Sequence, residues 1–189
     1  MTPFDYVSLL VSIVIALGIT RVLTDLGNIL QLRRTIRLYW VHVLWLINVL
    51  LWLLLDWWIL YRWRTFEQWN FFLFLFVLVS PVIAFLLALL LRPEVIQRDT
   101  DLKQHFYENN RWFFSLSALL PVVDAFDTLL KGWDHFVAQG PIYIITLSLI
   151  FVLCVIGART KDERYHAAFA IFFLVYLLVF ITINLRMLV

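Results

Sequence analysis

From Phe71 to Leu91 the chain reads FFLFLFVLVSPVIAFLLALLL, 21 residues without one ionisable side chain. No other feature limits the possible folds as tightly. An α-helix needs roughly 20 apolar residues to cross a bilayer core about 30 Å thick. In lipid the backbone must also satisfy its own hydrogen bonds, which a helix does within one segment. Comparable runs recur along the chain, and 63% of its 189 residues are hydrophobic, against roughly 45–50% in soluble domains. A soluble fold of this size has no interior able to hide them. The sequence therefore predicts an all-α membrane protein, a single-domain bundle of six spans over residues 4–31, 39–61, 68–91, 112–130, 141–158 and 165–188. The longest polar piece, RPEVIQRDTDLKQHFYENNR from Arg92 to Arg111, is expected to be a loop or a short helix lying on the membrane surface over about residues 99–109.

Charge sets the expected orientation. With the N-terminus outside, the inner segments carry Arg33, Arg34, Arg37, Arg92, Arg98, Lys103, Arg111, Arg159, Lys161 and Arg164. The outer segments then carry only Arg62, Arg64, Lys131 and Arg186. The positive-inside rule favours this arrangement, which places both termini on the outer, periplasmic side of a bacterial inner membrane. Tyr39, Trp40 and Trp112 fall at the inner edges, and Trp57, Trp58, Trp63, Trp69 and Trp133 at the outer ones, where amphipathic rings settle at headgroup level. The start, MTPFDY, lacks the basic region of a cleaved signal peptide.

The first span raises the sharpest question. Tyr6 to Thr20 is only about 22 Å of helix at 1.5 Å per residue, so the span must continue through Arg21 and Asp25. Gly18, Arg21, Asp25 and Asn28 share one helical face. An unpaired arginine near the bilayer centre costs about 2.5–3.5 kcal/mol on insertion scales, so this face is expected to turn toward other helices. Arg21, Asp25 and Asn28 are then either a structural ion pair locking the first span or an inner station for an anion, a proton or a coupled ion. A second set lies toward the outer side, where Asp56, Asp124 and Asp127 converge if the bundle is compact. Such carboxylates repel and would take up a cation or a proton; otherwise they simply reach headgroup water. Ser80, Pro81 and Pro121 are candidate hinges, because proline deletes a backbone donor inside a helix. Trp45, Asn48, Trp52 and Asp56 form a stripe at helical spacing, read as packing.

His42 and His166 sit just inside the inner edge and are candidate haem ligands if their helices face each other, with no further motif behind them. No other cofactor is expected. The lone Cys154 excludes an internal disulfide and reads as a small buried hydrophobe. A net charge of +2 does not suggest a nucleic-acid partner. The sequence lacks the His-Glu-x-x-His, Gly-x-Ser-x-Gly and Gly-x-x-x-x-Gly-Lys patterns of common enzymes. Two functions follow from the charged residues. The first is a transporter or channel-like module for protons or small ions, working as a homo-oligomer. The second is a non-catalytic scaffold, sensor or assembly subunit that binds a partner protein through Arg92–Arg111. A haem-bearing redox or other membrane enzyme is the third.

Overall fold

The structure is a computed structural model that describes residues 2–66, 68–93 and 98–184. Among these residues the chain is helical, with α1 at Pro3–Leu32, α2 at Trp40–Leu60, α3 at Phe71–Leu90, α4 at Leu102–Ser117, α5 at Leu119–Leu130, α6 at Trp133–Ala138, α7 at Gly140–Gly157 and α8 at Glu163–Asn184. Six stretches are long and apolar enough to cross a membrane: Pro3–Leu32, Trp40–Thr65, Phe71–Leu90, Leu102–Leu130, Gly140–Gly157 and Glu163–Ile183. This is an integral membrane protein. Large side chains such as Leu9, Ile13, Leu17, Phe71, Phe72, Ile145 and Val175 stand exposed around the bundle, as lipid requires and water would not tolerate over so wide a band.

Each helix turns one stripe inward. On α1 the buried residues are Val7, Val11, Ile15, Gly18, Val22, Asp25 and Ile29, at steps of three or four that keep one face toward its neighbours. That face packs on α2 and α3, while α2 also meets α3 and α8; α4 and α5 both lean on α7. At Gly18 α1 lies tightly against α2, since a methyl group there would lie 2.9 Å from Cδ2 of Leu53. The start of α1 is fixed by a capping box, in which Thr2 Oγ1 accepts from Asp5 N–H and Asp5 accepts from Thr2 N–H.

Two differences from the sequence reading concern the fourth span. The helix does not start at Trp112 after a surface segment; it starts at Leu102, capped by Asp101, whose carboxylate accepts from the N–H groups of Lys103 and Gln104. Leu102, Phe106 and Asn110 are buried in the bundle, so this stretch is the beginning of a long helix. That helix is interrupted at Ala118, between α4 and α5. Pro121 explains the position of the break. It has no N–H for the carbonyl four residues back, and its ring crowds that carbonyl, which belongs to Ser117, the last residue of α4. Pro81, by contrast, lies inside an unbroken α3. The short α6 was not anticipated. It stands between Gly132 and Gly140, both at positive φ (122° and 74°), a region that L side chains rarely enter. Residues 185–189, including Arg186 and the expected end of the last span, lie outside the described residues, as do 94–97 of the polar segment.

Candidate functional site

The two charged sets of the sequence lie toward opposite ends of the bundle. At one end, Asp25 is 1% exposed on α1 and faces two guanidinium groups. Nε of Arg21, one turn earlier, is 3.8 Å from one carboxylate oxygen, and Nε of Arg92, just beyond α3, is 3.5 Å from the other. Both separations exceed hydrogen-bonding range, so the attraction is mainly Coulombic. By sequence Arg92 is a loop residue; in the structure it ties α3 to α1. Asn28 is half-buried one turn on.

At the other end, Asp56 of α2 and Asp124 and Asp127 of α5 line one cavity, together with Ser80 and Pro81 of α3, Trp52, Trp63 and Tyr176. The cavity volume is about 90 Å³. Each carboxylate has its own donor. Ser80 Oγ donates to Asp56, 2.9 and 3.0 Å from its two oxygens, and Trp52 Nε1 donates to Ser80 Oγ at 3.4 Å. Tyr143 of α7 donates its hydroxyl to Asp124 Oδ2 at 3.0 Å, with Thr128 Oγ1 2.8 Å from the same hydroxyl. Asp127 accepts from Trp63 Nε1 at 3.0 Å and pairs with Lys131, one turn further along α5. The Lys131 ammonium also lies 4.9 Å from the centre of the Trp63 ring, within cation–π range. Thus the hydrogen-bond donors to Asp56 and Asp124 are neutral hydroxyls, whereas Asp127 pairs directly with a cation; Lys131 and Arg62 act on Asp124 only through space.

Ser80, a candidate hinge by sequence, is therefore the partner of Asp56. Trp63 is not part of an exposed interfacial belt: it is 2% exposed and holds Asp127. Trp40, Trp57, Trp112 and Trp133 do stand exposed. Tyr143 and Lys131 were missed as site residues. Lys131 is legible in hindsight from its four-residue spacing to Asp127, which places the two on one helical face; Tyr143 carries no local signal.

A second cavity, about 40 Å³, adjoins the first through Trp52, Leu120, Asp124 and Tyr176, which line both. It extends past Asn48 and Trp45, with Ser117 and Cys154 also on its wall. Asn48 is fully buried and donates Nδ2–H to the carbonyl of Ala170 on α8 at 3.0 Å.

His42 and His166 are both fully buried. Phe106 packs edge-on against each ring, at centroid distances of 6.4 and 5.2 Å. Nε2 of His166 lies 3.0 Å from the carbonyl oxygen of Thr160; a carbonyl only accepts, so this nitrogen carries the hydrogen. Phe114 stacks on the same imidazole at 5.2 Å. Both rings are held by aromatic packing, and His166 also by this backbone contact. Among the described residues no group of three or more His, Cys, Asp or Glu side chains is placed to hold a metal ion. No protein-family model, characterised protein or solved structure matches this chain.

Proposed function

We propose that this protein is a small transporter or channel-like module that moves protons or small ions through its helical bundle, with Asp56, Asp124 and Asp127 as the charged station. The observation that carries the reading is the convergence of three carboxylates, from two helices far apart in sequence, on one cavity of about 90 Å³. Ionisable groups inside membrane spans are costly to keep and mark ion and proton pathways. Carboxylates sharing one space repel, and a proton or cation relieves that repulsion. Asp56 and Asp124 are the pair available for such exchange, because their donors are the neutral hydroxyls of Ser80 and Tyr143. Asp127 is held by Lys131.

Asp25 takes a different part in this proposal. Gripped between Arg21 and Arg92, it locks α1 to the end of α3 and does not carry the transported ion. The distribution of Lys and Arg puts that end of the bundle on the inner side and both termini outside, in a bacterial inner membrane. Assembly as a homo-oligomer belongs to the same proposal, since six spans make a small bundle for a transporter.

The test is flux into liposomes holding the purified protein, followed with a pH-sensitive dye and with sodium and potassium indicators. Asp56→Asn and Asp124→Asn are expected to insert and fold, with flux reduced at least ten-fold. Wild-type flux in both variants would overturn the carboxylate station.

A further inference from the structure

The α2 face that ends at Asp56 continues to the opposite end of the bundle. His42, Trp45, Asn48, Trp52 and Asp56 follow one another at steps of three or four residues, a single stripe about 21 Å long at 1.5 Å per residue. Its polar atoms divide in two. From Trp52 to Asp56 they are joined through Ser80. From His42 to Asn48 they are not: both ring nitrogens of His42, Nε1 of Trp45 and Oδ1 of Asn48 have no hydrogen-bond partner, and none of the three residues is more than 3% exposed. Buried polar groups left unpaired are costly, and native structures pair nearly all of them with protein or bound water. Four such atoms in line along one helix face ask for a common partner.

Space for that partner is present beside Trp45 and Asn48. The 40 Å³ cavity has Trp45 and Asn48 on its wall and Asp124 and Trp52 where it meets the carboxylate cavity. A water molecule needs about 10–15 Å³ of such space and two to four polar contacts. Trp45 Nε1–H offers a donor, Asn48 Oδ1 an acceptor, and Ser117 Oγ keeps lone pairs after donating to the Phe113 carbonyl at 2.8 Å. One turn beyond Trp45, His42 lies with its ring centroid 6.0 Å from that of His105. His105 is only half-buried and reaches the Leu90 carbonyl, 3.2 Å from its Nε2, at the edge of the bundle.

We infer that the α2 face from Trp45 to Asp56 holds a file of bound water that conducts protons between the carboxylate cavity and the His42–His105 pair one turn beyond it, and that it excludes metal cations. This rests on the transport reading above and names its ion. The exclusion follows from the lining. A sodium or potassium ion must exchange its hydration shell for several oxygen ligands. Here it meets Asn48 Oδ1, Ser117 Oγ and Asp124 among Trp45, Phe113, Phe169 and Phe173. A proton passes along hydrogen-bonded water without shedding such a shell.

The experiment combines flux with a direct readout of water. In liposomes under a potassium diffusion potential, Trp45→Phe, which keeps an aromatic ring and removes the indole N–H, and Asn48→Leu, which puts a larger apolar side chain into the cavity, are expected to lower proton flux at least ten-fold. Sodium and potassium uptake should stay at the level of empty liposomes. In parallel, radiolytic hydroxyl labelling, which requires water beside the labelled side chain, should modify Trp45 in the wild type and be suppressed in Asn48→Leu. Proton flux that is lost in Asp124→Asn but intact in Trp45→Phe and Asn48→Leu would overturn the water file and leave the carboxylate station standing. Labelled Trp45 without flux of any ion in the wild type would overturn proton conduction and the transport reading together, leaving only bound water. An unlabelled Trp45 in the wild type, or sodium flux that disappears with Asn48→Leu, also overturns the inference.

Discussion

Replacing Asp25 by alanine should be among the most damaging single changes at the Arg92 end of this bundle, and the reason is electrostatic. The carboxylate faces Arg21 and Arg92 at 3.8 and 3.5 Å. At an effective dielectric of about 20 each attraction is worth about 4–5 kcal/mol before desolvation. Taking the carboxylate out of water cancels much of that, which is why a buried pair contributes little net stability while breaking it costs about 3–5 kcal/mol. The two guanidinium side chains are 30% and 26% exposed, so they can partly turn away once the acid is gone. Asp25→Ala is therefore expected at the lower end, about 3 kcal/mol. Arg92→Ala should cost less, because Arg21 still pairs with the acid. The diagnostic variant is the triple replacement of Arg21, Asp25 and Arg92 by leucine. With no orphaned charge left, it should recover most of the stability lost by Asp25→Ala. Reversible unfolding by SDS in mixed micelles gives these differences directly. A cost below about 1 kcal/mol for Asp25→Ala, or a triple variant as unstable as the single one, would refute the reasoning.

Two further expectations use the same unfolding assay. A methyl group on Gly157 would sit 3.1–3.2 Å from three carbons of the Phe114 ring. That ring is fully buried and stacked on His166 and Phe169, so it cannot retreat, and Gly157→Ala should destabilise by about 1–3 kcal/mol. Gly18→Ala meets only the terminal methyls of Leu53, which can rotate aside, and it gains up to about 1 kcal/mol in helix propensity. Its net effect should stay within about 1 kcal/mol. Asn110 donates Nδ2–H to the carbonyls of Gly157 and Thr160 at 3.3 and 2.9 Å. Asn110→Ala should cost about 1–3 kcal/mol by removing both bonds, although the Thr160 carbonyl keeps the His166 Nε2–H donor, and it should speed trypsin cleavage at the exposed Arg159 and Lys161.

Length and hydropathy alone define six apolar helices here, because lipid imposes one rule on every span. What periodicity supplies is a face, and what it withholds is the neighbour. It groups Arg21 with Asp25 on α1 correctly, but Arg92 comes from a different part of the chain and only packing brings it there. The same holds for Tyr143 and Asp124. The late start assigned to the fourth span has another cause. Residues 102–111 are polar enough to leave a hydropathy window, although Asp101 ahead of Lys103 and Gln104 is an ordinary helix-start signal. Amphipathic pattern mattered there more than mean hydropathy, since Leu102, Phe106 and Asn110 form its buried stripe. Trp63 misled for a related reason: an indole near a span end suits the headgroup region, but it equally suits a buried carboxylate that needs a donor.

The short connection after α1 is stitched to the one before α4. Asp99 N–H donates to Thr35 O at 2.8 Å, Arg37 N–H to Thr100 O at 2.9 Å and Leu102 N–H to Arg37 O at 3.1 Å, with Arg37 and Asp101 also paired through their side chains. Residues some sixty positions apart along the chain thus close a ring of chain that contains α2 and α3 and begins just after α1. During synthesis those three helices can be inserted and packed on one another, but the ring stays open until the polypeptide is complete through residue 102. A chain halted before that point should expose the backbone of residues 35–37, while one halted just after it should not.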